Sequence, residues 1–155
     1  MPRASLIVAW AMWLLVSLAL TITFLGDADR ELQVALDAGH PMMTREPLHL
    51  WSSIAPERWL WVAATVLGVV TAVGWAAYLA RGGRRASATA AVAVSALAWA
   101  LSLASLVVSP AWFARSTEGT GSDALGAGFL SALSTLVVLA LGGWLLVTTR
   151  HGRPD

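Results

Sequence analysis

The chain has 155 residues, of which 57% are apolar and 12% charged, with a formal net charge of +1. Globular domains carry about 25% charged residues, so the chain has too few polar side chains to clothe a soluble core, and disorder needs the opposite composition. There is no basic patch of the kind nucleic acid requires, and the absence of cysteine removes disulfides, thiolate metal sites and thiol catalysis together. All ten basic residues are Arg, which points to GC-rich codon usage and a bacterial source.

Four runs of 21 to 23 residues contain no Asp, Glu, Lys, Arg or His: 5–25, 59–80, 87–109 and 127–149. A helix that crosses a bilayer needs about 20 apolar residues. A lipid-exposed backbone must also satisfy its own hydrogen bonds, and these runs lack the alternation of a barrel strand. The expected fold is an all-α integral membrane protein in one membrane domain. It is a four-transmembrane-helix antiparallel bundle with a 33-residue outer loop that contains short surface helices.

The first run, 5–25, follows Arg3. It exceeds the roughly 7–15 residues of a signal-peptide core, so a retained first helix is expected. The connection 26–58 comes next. Asp29 is placed to cap a short helix through Glu31, Leu32, Ala35 and Leu36 that ends at Gly39. After Pro41, Thr44 is placed to start a second short helix with Glu46 and Pro47 in its first turn. Leu48, Trp51 and Ile54 then share one face, which suits a lid on the membrane surface or a docking contact with a partner. Asp27, Asp29, Glu31 and Asp37, with Arg30 among them, form a solvated face. The same loop holds His40, Met42, Met43 and His49, a soft imidazole and thioether set suited to Cu(I). Methionines in such a segment also fill apolar gaps.

Pro56 precedes the second span, where its missing N–H is not needed. That span carries a ladder of small residues at Ala64, Gly68, Ala72 and Ala76. The 81–86 loop is short and turns at Gly82-Gly83, so the second and third spans are neighbours. In the third span Ala88, Ala91, Ser95, Ala98, Ser102, Ser105 and Ser109 recur at alternating spacings of three and four. Such a seam lets helices approach closely in lipid, with a left-handed crossing near 20°. It serves either to hold the bundle together or to dock on another protein's helix. After the 110–126 connection, the fourth span repeats nearly the same spacing at Gly128, Ser131, Thr135 and Gly142.

Nine tryptophans fall mostly where an aromatic belt would place them. Trp51, Trp59, Trp61 and Trp112 mark the outer interface, and Trp75, Tyr78 and Trp144 the inner one. Trp13 and Trp99 lie near mid-membrane depth, either in the bundle core or as one wall of a lipid or quinone site. Buried indoles want acceptors, and Ser17, Ser95, Ser102 or Thr71 are in range by depth.

Arginine density sets the expected orientation. The N-terminus, the 81–86 loop and the C-terminal tail hold six Arg in 16 residues, against four in the 50 residues of the other two connections. By the positive-inside rule both termini face the cytoplasm of a bacterial inner membrane. No span carries an ionisable residue, which argues against a proton relay, an intramembrane carboxylate carrier or haem held by paired histidines.

No catalytic set and no resident cofactor is therefore expected. The composition and pattern point to a non-catalytic integral membrane subunit or accessory/assembly factor of a larger complex. Its partners would be membrane lipids and other membrane subunits, with no nucleic acid. The alternatives are a small homo-oligomeric transporter or channel lined by the Ser and Thr of the third and fourth spans, and a redox- or copper-handling accessory that uses the outer His/Met loop.

Overall fold

The computed structural model describes residues 3–37, 56–108 and 121–150, with side chains described over 3–26, 59–108 and 126–149. It is all-helical, with no strand among the described residues. The order is α1 (Arg3–Asp37), α2 (Pro56–Arg81), α3 (Arg85–Val108) and α4 (Gly121–Arg150). Each contains a stretch long and apolar enough to cross a membrane: Arg3–Gly26, Trp59–Arg81, Arg85–Val108 and Gly126–Thr149. Pro56 is the first residue of α2, at the one helical position where its lost donor has no cost.

Two boundaries differ from the sequence expectation. α1 does not stop at Gly26-Asp27 to restart behind an Asp29 cap; it runs unbroken to Asp37. A helix already propagating adds one hydrogen bond per residue fixed, whereas a restart needs a new and costly nucleus. One glycine, at about 1 kcal/mol, does not outweigh that. Gly26 also packs against nothing that would bend the chain there. In the same way, α4 starts at Gly121, six residues before the apolar run begins, so the polar 121–126 segment is helix rather than loop.

The four helices touch in a closed ring. α1 meets α2, α2 meets α3, α3 meets α4 and α4 meets α1, while the diagonal pairs make no contact among the described residues. Side-chain contacts fix the register. Between α1 and α4, Arg3 reaches Thr149, Trp10 reaches Val138, and Thr21 reaches Ser131 and Thr135. Numbers rise along one helix as they fall along the other. Between α3 and α4, Ser134 donates to the Ala98 carbonyl, and Gly126 lies against Val108.

The α2–α3 joint is tight because Gly83 adopts a positive φ of 75°. Its N–H then bonds Ala80 O at 3.1 Å and the Arg84 N–H bonds Leu79 O at 2.9 Å. This pair of reversed bonds closes a Schellman cap on α2 and satisfies two of its orphan carbonyls. The Arg84 carbonyl in turn accepts from Ala88 N–H at 3.0 Å, the first bond of α3. A single residue thus ends one helix and starts the next.

Polarity and size are sorted opposite to a soluble bundle. The interior holds Ser17, Thr21, Thr71, Ser95, Ser102, Ser105, Ser131 and Ser134 beside Leu6, Trp13, Leu20, Trp75 and Val138. The outside carries Val8, Met12, Leu15 and Ile22 on α1, Val62, Val66, Val69 and Val73 on α2, and Phe129, Leu136, Leu139 and Val147 on α4. In hydrocarbon there is no hydrophobic drive between helices, so small side chains and hydroxyl bonds hold the interior while large apolar groups face outward.

Candidate functional site

The seam read from the third span lies inside the bundle: Ala88, Ala91, Ser95, Ala98, Ser102 and Ser105 are all buried, with Leu106 beside them. Ser109 falls outside the described residues. The face is committed to packing within the chain. Ser95 Oγ bonds back to Ala91 O at 2.8 Å, Ser105 Oγ to Ser102 O at 2.7 Å, and the Ala98 carbonyl receives Ser134 Oγ from α4 at 2.7 Å. Back-bonding of this kind uses up a serine's single donor.

Gly68 and Gly128 are close-approach positions toward α1. A Cβ on Gly68 would stand 3.0 Å from Trp13 Cε2, and one on Gly128 would stand 2.7 Å from Leu25 Cδ2. The ladder on α2 is only partly used: Ala64 and Gly68 are buried, but the buried stripe then follows Thr71, Trp75 and Leu79 rather than Ala72 and Ala76. Thr135 joins a three-hydroxyl hub between α1 and α4. Thr21 Oγ1 lies 2.9 Å from Ser131 Oγ, 3.0 Å from Thr135 Oγ1 and 3.0 Å from Ser17 O. Thr135 Oγ1 also reaches Ser131 O at 3.1 Å. Three hydroxyl protons serve these four contacts, so the hub is a shared network rather than a set of independent bonds.

The two mid-depth indoles do not form one wall. Trp13 is buried on Gly68, whereas Trp99 is 41% exposed on the outer side of α3. Trp99 leans on Trp61 with ring centroids 6.3 Å apart and donates to Thr65 Oγ1 at 3.3 Å. Its acceptor is thus none of Ser17, Ser95, Ser102 or Thr71. Trp75, read as part of an interface belt, is instead a core residue at 2% exposure and stacks edge-on against Tyr78. Its Nε1 and the Thr71 hydroxyl one turn earlier are buried without a partner, a cost of about 1–3 kcal/mol for each such group.

Sequence reasoning passed over two features. Trp10 Nε1 donates to the Val138 carbonyl at 2.8 Å, lying flat where Gly142 has no side chain. A Cβ there would overlap Trp10 Cε2 and Cζ2. The second is the outward side of α3, where Ala86, Ala90, Ala93, Ala96 and Ala100 are all exposed. They form an alanine-rich stripe at spacings of three and four, opposite the buried seam, with the exposed Leu97 among them and the exposed Val92 at one side. This face lets another helix's backbone come close, and Trp99 stands at its edge. The signal was present in the sequence, but α3 is rich in small residues all round, so its outer stripe was hidden by its inner one.

The outer-loop sets fall outside the described residues: Leu48, Trp51 and Ile54, and His40, Met42, Met43 and His49. Compared with protein families, with curated proteins and with solved structures, the chain matches none.

Proposed function

We propose that the chain is a non-catalytic subunit or accessory factor of a larger complex in a bacterial inner membrane. In this reading it is an antiparallel four-helix membrane bundle with both termini on the cytoplasmic side. The observation that carries it is the contrast between outward faces. α1, α2 and α4 turn mainly large aliphatic side chains outward, as lipid contact favours, while α3 turns Ala86, Ala90, Ala93, Ala96 and Ala100 outward along with Val92, Leu97 and Val107. A flank rich in small residues is dockable, because helix association in lipid depends on close backbone approach. Trp99, large and half-exposed beside that flank, is the type of side chain that anchors an interface.

The interior supports the same reading. The hydroxyls of Ser95, Ser105 and Ser134 are taken up by backbone carbonyls, and those of Thr21 and Ser131 meet each other, which favours a packed scaffold over a lined path. The test is gentle extraction from the native membrane and identification of what co-purifies. Wild-type protein is expected to come out with other integral membrane proteins, and Ala93→Leu to lose them while Leu139→Ala, on the outward face of α4, keeps them. Recovery of the wild type only as a free monomer would overturn the proposal.

A further inference from the structure

Among the described residues, one end of the bundle collects cationic groups and no anionic ones. Arg3 begins α1, Arg81 ends α2, Arg84 occupies the turn and Arg85 begins α3. Every acidic residue of the four helices belongs to the opposite end: Asp27, Asp29, Glu31 and Asp37 of α1, Glu57 of α2 and Asp123 of α4. Among the guanidiniums a cleft of about 390 Å³ opens, lined by Tyr78, Leu79, Arg81, Gly82, Arg84 and Thr149. That is within the size range of small-ligand sites, about 300–1,000 Å³.

The cleft is built rather than incidental. The Schellman cap at Gly83 fixes the backbone of Arg84, and the Arg84 Nη1 donates to the Thr148 carbonyl in the last turn of α4. Thr149 donates its hydroxyl to Leu145 O at 2.9 Å and accepts from Arg3 Nη2 at 2.8 Å. Arg3 is thereby held behind the cleft wall, with its Nε buried and without a partner. A guanidinium has five donors, and among the described residues Arg3 makes one bond and Arg84 one. A part-buried cation with unspent donors and no carboxylate bonded to it among the described residues is satisfied best by an oxyanion. Planar guanidinium forks match phosphate geometry.

We infer that this cleft binds a phosphate group, presented as the headgroup of an anionic phospholipid. The depth argues for the lipid source. The apolar stretches of α2 and α4 end at Arg81 and Thr149, two of the cleft's own lining residues, so the site sits where a headgroup would meet the helices. Tyr78, 37% exposed and also lining the cleft, stands one turn deeper, and a tyrosine at that level suits the boundary between headgroup and acyl chain.

The test is native mass spectrometry of the full chain, with phosphatidylglycerol, phosphatidylcholine and inorganic phosphate as separate probes. The expected result is selective retention of phosphatidylglycerol. Arg81→Gln should weaken it about tenfold, the scale of losing one or two units of charge-assisted contact. Arg85→Gln removes the same charge from an exposed residue that does not line the cleft, and should leave retention unchanged. Equal losses in the two variants, or equal retention of both lipids, would overturn the site. Binding of inorganic phosphate as tight as that of the lipid would overturn the lipid assignment. Arg81→Lys, which keeps the charge and the topology signal, should recover only part of the retention.

Discussion

Gly142 and Trp10 show how one absent side chain decides a contact between helices. The indole N–H of Trp10 reaches the Val138 carbonyl only because the position one turn later on α4 has no Cβ in the way. Substituting Gly142→Ala would push the ring off that carbonyl. The expected loss is about 1–3 kcal/mol from overpacking plus about 1 kcal/mol from the hydrogen bond. It should register as a lower unfolding midpoint of the detergent-solubilised protein. In a Trp10→Phe background, whose smaller ring makes no such bond, the same change should cost clearly less, so the two substitutions will not add. Neither residue's role was legible in the sequence. The glycine fitted a seam, but the tryptophan's acceptor is a backbone group on a helix 128 positions away, which no local pattern reveals.

Among the elements, the four apolar helices were fully legible, because uncharged runs of bilayer length have no other economical structure. The small-residue seam of α3 was legible as one face for a similar reason, since residues at heptad spacing fall on one side of a helix; its burial inside the bundle comes from the structure. Helix ends were less so. Gly26-Asp27 looks like a stop, but isolated unfavourable residues do not halt a helix that is already propagating. Gly82-Gly83 was read correctly as a turn, and the structure adds why the second glycine is needed there: φ is 75°. Gly83→Ala should cost about 1–2 kcal/mol, the penalty of a left-handed conformation for a residue with a Cβ. Because the cap also fixes Arg84, hydrogen exchange should rise at the end of α2 and the start of α3 before it rises elsewhere.

At the scale of the molecule, the composition has a spatial meaning. Hydroxyls and small residues fill the interior, aliphatic side chains form most of the outside, and the charges separate to the two ends. The partition was visible along the chain; which small-residue face turns inward was not. α3 offers two such faces, and only contact with its neighbours in the ring decides between them. The face left outside is the basis of the proposed docking role. The most direct measurement uses the absence of native cysteine. Single-cysteine variants at Ala93 on α3, Val66 on α2 and Leu139 on α4, all exposed, are coupled to a short photo-crosslinker in native membranes. The docking role predicts that Ala93→Cys becomes joined to a different integral membrane protein while Val66→Cys and Leu139→Cys do not. A silent Ala93→Cys, or adducts only to a second copy of this chain, would contradict it.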